Sequence, residues 1–362
     1  MSAAPGQPGF IPGLELSRRF YEEVVRPILD AAFPGLPYAA ARIGPGSDVL
    51  GFDTPMSTDH DWGPAVQIFL RDEDGPLAQR IEAVLQERLP ETFAGFPVLV
   101  PSGVDTPGEG RAYHRVRPVT LSSFVWELAA FRPGAPLDAA DWLTIPSQKL
   151  LELTAGAVHH DGTGELTALR ERLAYYPRDV WLYMLAAGWT RIAQEEHLMP
   201  RAGHVGDELG SALIGARLAR DIMFLCFLME RRYAPYPKWF GTAFGRLRCS
   251  ATIRPLLEAA LAARGWQERG AALAAAYEQL AAMHNALGLT APLPAETTSF
   301  FDRPFRVIYG GRFAGALREQ IADPDVRRIA SRRLIGSIDQ WSDSTDLRSD
   351  ASWRAQLRRL YE

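Results

Sequence analysis

An α/β domain, built on a small mixed sheet with helices and followed by a larger all-α helical bundle, is the architecture this sequence predicts. Three observations carry that prediction. Strand-like and helix-like patterns alternate from the N-terminus to about residue 125. Beyond it, long stretches repeat apolar residues at helical spacing with few strand signals. The length of 362 residues, at about 150 per domain, makes room for two domains. The expected bounds are 1–125 and 126–362.

In the first domain, Leu14–Phe33 carries apolar residues near helical spacing (Phe20, Val24, Val25, Ile28, Leu29) and ends at Pro34-Gly35. Tyr38–Ile43 reads as a short strand leading into a Gly44-Pro45-Gly46 turn. His60–Leu70 reads as a second strand, interrupted early by Gly63-Pro64, and Gly75–Leu89 as an amphipathic helix. Phe96–Val100 and Tyr113–Leu121 read as strands around a Gly-, Pro- and acid-rich loop at 101–112. In the second domain, helices are expected over Trp181–Gln194, Glu208–Arg231, Ile253–Ala263 and Gln267–Leu287. Breaks fall at the prolines around Tyr233 and at Pro292 and Pro294. From Ala322 onward the chain is polar and arginine-rich, a surface helix or docking tail. No internal repeat stands out.

Composition narrows the function classes. Hydrophobic residues make up 47% and charged residues 23%, an ordinary globular balance. The formal net charge of −4 disfavours an overall electrostatic grip on nucleic acid or anionic lipid, leaving room only for a local basic patch. The two cysteines, Cys226 and Cys249, make neither a disulfide framework nor a four-thiolate zinc site. No apolar run approaches the ~18–20 residues of a membrane span, and the N-terminus has no signal-peptide pattern, so a cytoplasmic, reduced protein is expected. Of 39 basic residues only two, Lys149 and Lys238, are lysines.

The segment from Ile43 to Gly63 concentrates the chemistry. A strand, a Gly46-Ser47 turn and a connector containing Gly51 lead to Asp59-His60-Asp61 at the opening of the next strand. Residues i and i+2 of a strand share a face, so Asp59 and Asp61 would aim their carboxylates the same way. Two convergent oxygen ligands suit Mg²⁺, and a Gly-Ser turn offers backbone N–H groups and a hydroxyl to a triphosphate. The dinucleotide fingerprint fails because Val49 stands where its third glycine belongs, and no Gly-Lys-Ser/Thr makes a Walker loop. Asp-x-Asp or Gly-Ser alone usually marks a solvated turn; their order and separation here make the combination specific.

Gly46-Ser47, Gly51 and Ser57-Thr58-Asp59-His60-Asp61 resemble the signature of the DNA polymerase β-type nucleotidyltransferase superfamily. The resemblance extends to an uncharacterised bacterial family joining such a domain to a helical domain of unknown function, through residues 51–64, 206–211 and 235–244. It implies an aminoglycoside-adenylyltransferase-like layout, in which the helical domain acts as a lid or substrate-binding domain. By that resemblance Asp59 and Asp61 bind a two-metal Mg²⁺ site, and Gly46 and Ser47 contact the triphosphate of ATP or another NTP. The implied activity is transfer of a nucleotidyl group, AMP from ATP, to a hydroxyl of a small molecule or protein. The family also implies a third carboxylate on a later strand. Tyr113–Leu121 has none: Arg117 falls about where it belongs, leaving Asp105, Glu109 and Asp161 as candidates. The alternative is therefore a catalytically silent nucleotide-binding, sensing or interaction protein.

Lys238, in a Pro- and aromatic-rich corner, suits a phosphate contact, against the plainer reading of a surface lysine whose stem packs on Trp239. Arg217 and Arg220 could assist but are by default exposed charge, and Asp207-Glu208 reads first as a helix cap. His159-His160-Asp161 reads as a turn leading to Gly162. Arg191 and His197 match a short Arg…His pattern of helical ribonuclease-like domains, a match that comes cheaply in so arginine-rich a chain.

Overall fold

A computed structural model describes residues 9–59, 62–100 and 113–362. The chain divides into two compact units, Met1–Ala135 with Lys149–Ala174, and Pro136–Gln148 with Tyr175–Glu362.

The first unit is a mixed sheet flanked by helices. Its N-terminal helix runs as α1 (Gly13–Phe20), a wider π turn (Tyr21–Val25) and α2 (Arg26–Ala32). Pro27 has no N–H to give the carbonyl four residues back, and the preceding turn widens so that Arg26 N–H reaches the Tyr21 carbonyl. The strands are β1 (Tyr38–Arg42), β2 (Ala65–Leu70), the two-residue pieces β3 (Thr92–Phe93), β4 (Phe96–Pro97) and β5 (Leu99–Val100), then β6 (Tyr113–Thr120) and β7 (Ala157–Asp161). Five of them form one sheet in the order β5-β6-β2-β1-β7, with β2 and β6 parallel and the other pairs antiparallel. Between β2 and β6 runs α3 (Ala78–Arg88); α4 (Leu121–Ala129) follows β6. Val66, Ile68, Leu70 and Val116 bury one sheet face against Phe20, Val25 and Leu29 of the N-terminal helix and Ile81 and Leu85 of α3. On the other face, Phe69 meets Phe124 of α4 edge-on.

β7 replaces the turn expected at His159-His160-Asp161. Ala39 pairs with Asp161 and Ala40 with His160, so an alanine-rich β1 accepts a polar strand at its side. His159 hydrogen-bonds Ser17 (2.9 Å) and stacks on Tyr21, and burial lowers its imidazole pKa to about 4. The preceding α6 (Ser147–Thr154) and following α7 (Glu165–Arg172) complete this part.

The second unit is mostly helical: α5 (Ala139–Thr144), α8 (Arg178–Glu195), α9 (Leu198–His204), α10 (Glu208–Met229), α11 (Pro237–Phe244), α12 (Ser250–Ala262), α13 (Trp266–Ala286), α14 (Gly311–Glu319) and α15 (Pro324–Arg332). Every residue from Val180 to Trp189 is buried, which makes α8 a central helix, packed against α10 and α14. Gly188 lets α10 approach: a Cβ there would lie 2.6 Å from Leu225 Cδ2. The unit is not wholly α, because a hairpin of β8 (Thr298–Phe300) and β9 (Arg303–Val307) interrupts it. The arginine-rich tail is docked: Arg354 pairs with Asp141 (2.5 Å), Arg358 with Asp138 (2.7 Å), and Tyr361 is buried. No helix among the described residues is long and apolar enough to cross a membrane.

Candidate functional site

The chain leaves β1 through a tight turn. Gly44 and Gly46 adopt φ values of +91° and +149°, which side chains resist. One helical turn follows. The carbonyls of Gly46, Ser47 and Asp48 accept from the N–H groups of Leu50 (3.4 Å), Phe52 (2.8 Å) and Gly51 (3.0 Å). Among the described residues, none accepts from the N–H groups of Ser47, Asp48 or Val49. Such a row of amides is a concentration of partial positive charge.

The turn is braced from within. Arg42 at the end of β1 donates to both oxygens of Asp48, Nε to Oδ2 at 2.6 Å and Nη2 to Oδ1 at 2.9 Å, and both side chains are buried. A Cβ on Gly46 would sit 2.3 Å from Asp48 Oδ1 and 2.7 Å from Arg42 Nη2, so glycine is needed for the pair to close. Backbone bonds tie the same stretch to its surroundings: Ile43 N–H to Gln67 Oε1 (3.1 Å) and Gly44 N–H to the Glu152 carbonyl (2.8 Å). Arg42 and Asp48 were not among the residues the sequence pointed to; the only signal was a carboxylate just after a Gly-Ser turn.

Asp59 is exposed and ends a 3₁₀ turn, Pro55–Asp59. Its frame is local: Ser57 Oγ accepts from Thr54 N–H (3.1 Å) and Thr58 Oγ1 donates to the Pro55 carbonyl (2.8 Å). Among the described residues, the strand expected over His60–Leu70 is observed over Ala65–Leu70. The ladder begins only at Ala65, because Pro64 has no N–H to donate and Gly63 takes φ +146°. The strand argument for a shared face therefore does not apply to Asp59. His60 and Asp61 lie outside the described residues. Just after them, Trp62 is buried between Phe10 and Phe96, and its Nε1–H donates to Asp53 Oδ2 (3.2 Å).

β6 lies beside β2, with Arg115 opposite Ala65 and Arg117 opposite Gln67. Arg117 donates to Glu127 of α4 (2.5 Å) and lies 6.0 Å from the Phe124 ring centre. An arginine thus holds the register where the resemblance implied an acid. Asp105 and Glu109 lie outside the described residues. Asp161 is committed elsewhere: its carboxylate accepts from Gly164 N–H (2.8 Å), Thr167 N–H (2.8 Å) and Thr167 Oγ1 (2.7 Å) at the start of α7. It also pairs with Ala39, at the end of β1 away from Gly46. Among the described residues, no group of three or more His, Cys, Asp or Glu is arranged to hold a metal ion.

That far end of the sheet carries an open cleft of about 760 Å³, lined by Arg71, Asp72, Leu121, Ser122, Glu165 and Arg172. Leu70 at the end of β2 pairs with Tyr38 at the start of β1, so the cleft and the Gly46 turn occupy opposite ends of these strands.

Gly46, Ser47 and Asp59 belong to the first unit, and Lys238 to the second. Lys238 is exposed in the first turn of α11, its ammonium 5.3 Å from the Trp239 ring centre. Asp207 caps α10, accepting from Gly210 N–H (2.7 Å), while Glu208 pairs with Arg269 (3.2 Å). Arg217 pairs with Glu195 (2.8 Å) and Arg220 with Asp343. Arg191 bonds Asp221 (3.4 Å) and His197 stacks on Phe300, two separate engagements.

Residues 142–240 match a family described as a domain of unknown function (DUF4037). No curated protein matches the chain. Among solved structures, it is similar to a nucleotidyltransferase-like protein from Exiguobacterium sibiricum 255-15. The identity is 12%, with 76% of this chain and 77% of that one covered, at a TM-score of 0.32.

Proposed function

We propose that the protein is a Mg²⁺-dependent nucleotidyltransferase-like enzyme that moves a nucleotidyl group, AMP from ATP, onto a hydroxyl of a small molecule or protein. The observation that supports this reading is the turn after β1, whose Ser47, Asp48 and Val49 amides meet no acceptor among the described residues and are fixed by a buried ion pair. Gly46 allows the close backbone approach, and the Ser47 hydroxyl adds a donor for a phosphate oxygen.

The donor set fits Mg²⁺, which takes one or two protein carboxylates and completes its shell with phosphate oxygens and water. Asp59 and Asp61 would hold it; when bound, the ion would neutralise charge developing on the phosphate oxygens. The chain's own part is positioning and electrostatic stabilisation, from amides whose orientation is set before the nucleotide arrives.

A second reading is nucleotide binding without transfer, and Arg117 favours it by standing where a base for the acceptor hydroxyl would be sought. Labelled ATP separates the two. Incubated with candidate acceptors, the enzyme leaves α-phosphate label on the acceptor and none from the γ-phosphate. Saturable MgATP binding with no label transferred supports the silent protein, and absence of both contradicts both readings.

A further inference from the structure

We propose that the β8–β9 hairpin is a binding site for single-stranded nucleic acid, with Phe301 as a base-stacking residue. Phe301 and Asp302 form the two-residue tip between the paired residues Phe300 and Arg303. The tip demands a left-handed residue, and Phe301 supplies it at φ +55°. Glycine fits that position without strain, whereas a bulky side chain there is an outlier. Nothing in the fold repays it through burial, because Phe301 is 74% exposed. A strained backbone carrying a large apolar side chain into solvent is the signature of a residue held for contact.

The surroundings say what it contacts. Behind Phe301 lies an aromatic row: Phe300 packs edge-on against it (4.8 Å between ring centres), and His197 stacks on Phe300 (4.7 Å, 19° between planes). The Tyr309 hydroxyl accepts from the Phe301 N–H and donates to the Ser299 carbonyl, fixing the tip. Cations flank the row. The Arg303 guanidinium lies 6.0 Å from the Phe300 ring centre and that of Arg312 5.5 Å from the Tyr309 ring centre. Both arginines are exposed; Arg312 faces Glu196 and the third arginine, Arg306, faces Glu278, which leaves Arg303 as the cation beside the tip. The exposed Phe301 ring, beside half-buried aromatic rings and arginines, matches an unstacked base on a phosphate backbone. A duplex hides its base faces, so the ligand is single-stranded. The overall charge of −4 does not oppose a patch this local.

The test uses the full chain and a fluorescein-labelled 12-nucleotide oligouridylate, read by anisotropy at low salt. The wild type binds, and affinity falls as salt rises. Phe301→Gly weakens binding about tenfold, the order expected for one lost base stack, while its thermal midpoint stays level or rises because the backbone strain is relieved. Arg303→Glu weakens binding and flattens the salt dependence. No binding by the wild type, or Phe301→Gly binding as well as wild type, overturns the proposal. So does a wild-type dimer that Phe301→Gly converts to monomer with unchanged oligonucleotide affinity, since the patch would then be a contact between copies.

Discussion

Arg42 and Asp48 form a buried two-point ion pair that closes around Gly46, with both nitrogen-to-oxygen distances under 3 Å. Removing one partner strands the other charge in a dry setting. Arg42→Ala is expected to lower unfolding free energy by about 3–5 kcal/mol, whereas Arg42→Met with Asp48→Leu recovers most of it. Urea denaturation of the three proteins checks this. The double variant should still lose nucleotide affinity, because the apolar pair no longer fixes the turn by directed bonds.

Asp161 separates a capping carboxylate from a catalytic one. It accepts four hydrogen bonds at and just before the start of α7, from Thr163 Oγ1, Gly164 N–H, Thr167 N–H and Thr167 Oγ1. Asp161→Ala should therefore cost about 1 kcal/mol, the size of a lost helix cap, and leave MgATP affinity unchanged. A loss of affinity in a stably folded variant would return Asp161 to the list of third carboxylates.

A buried histidine, His284, and a half-buried one, His159, make the fold acid-sensitive. Burial lowers the pKa values of both His159 and His284 to about 4. Unfolded, each titrates near 6.5. The unfolded state thus binds more protons between these values, and stability present above pH 6.5 is lost as pH falls toward 4. Each histidine contributes a slope of at most about 1.4 kcal/mol per pH unit. Asp221 works the other way: burial pushes its pKa up to about 6, so the folded state gains protons as pH falls through that value. Replacing His284 with Gln should flatten the profile of urea midpoint against pH between 6.5 and 4.5; an unchanged slope contradicts the assignment.

The long helices were legible because their cores are periodic. Expected at Trp181–Gln194 and Gln267–Leu287, they are observed at Arg178–Glu195 and Trp266–Ala286. β7 was not legible: Ala157–Asp161 reads as polar and ends beside a glycine, and only the alanines of β1 make room for it. The start of β2 at Ala65 is not legible, since an apolar-alternation pattern does not register that Pro64 cannot donate to a ladder. At the candidate site, Gly46 and Ser47 were picked out by residue type. Arg42 and Asp48 are not legible, because a pair six residues apart acquires meaning only once the turn brings it together.

The most direct measurement is calorimetric titration of ATP, in the presence of Mg²⁺, into wild type, Ser47→Ala, Asp59→Asn and Asp61→Asn proteins, each first shown to keep the wild-type urea midpoint. The predicted result is saturable binding by wild type, weakened by Ser47→Ala and abolished by either aspartate variant. Equal affinity in all four proteins, or no binding by the wild type, would contradict the account.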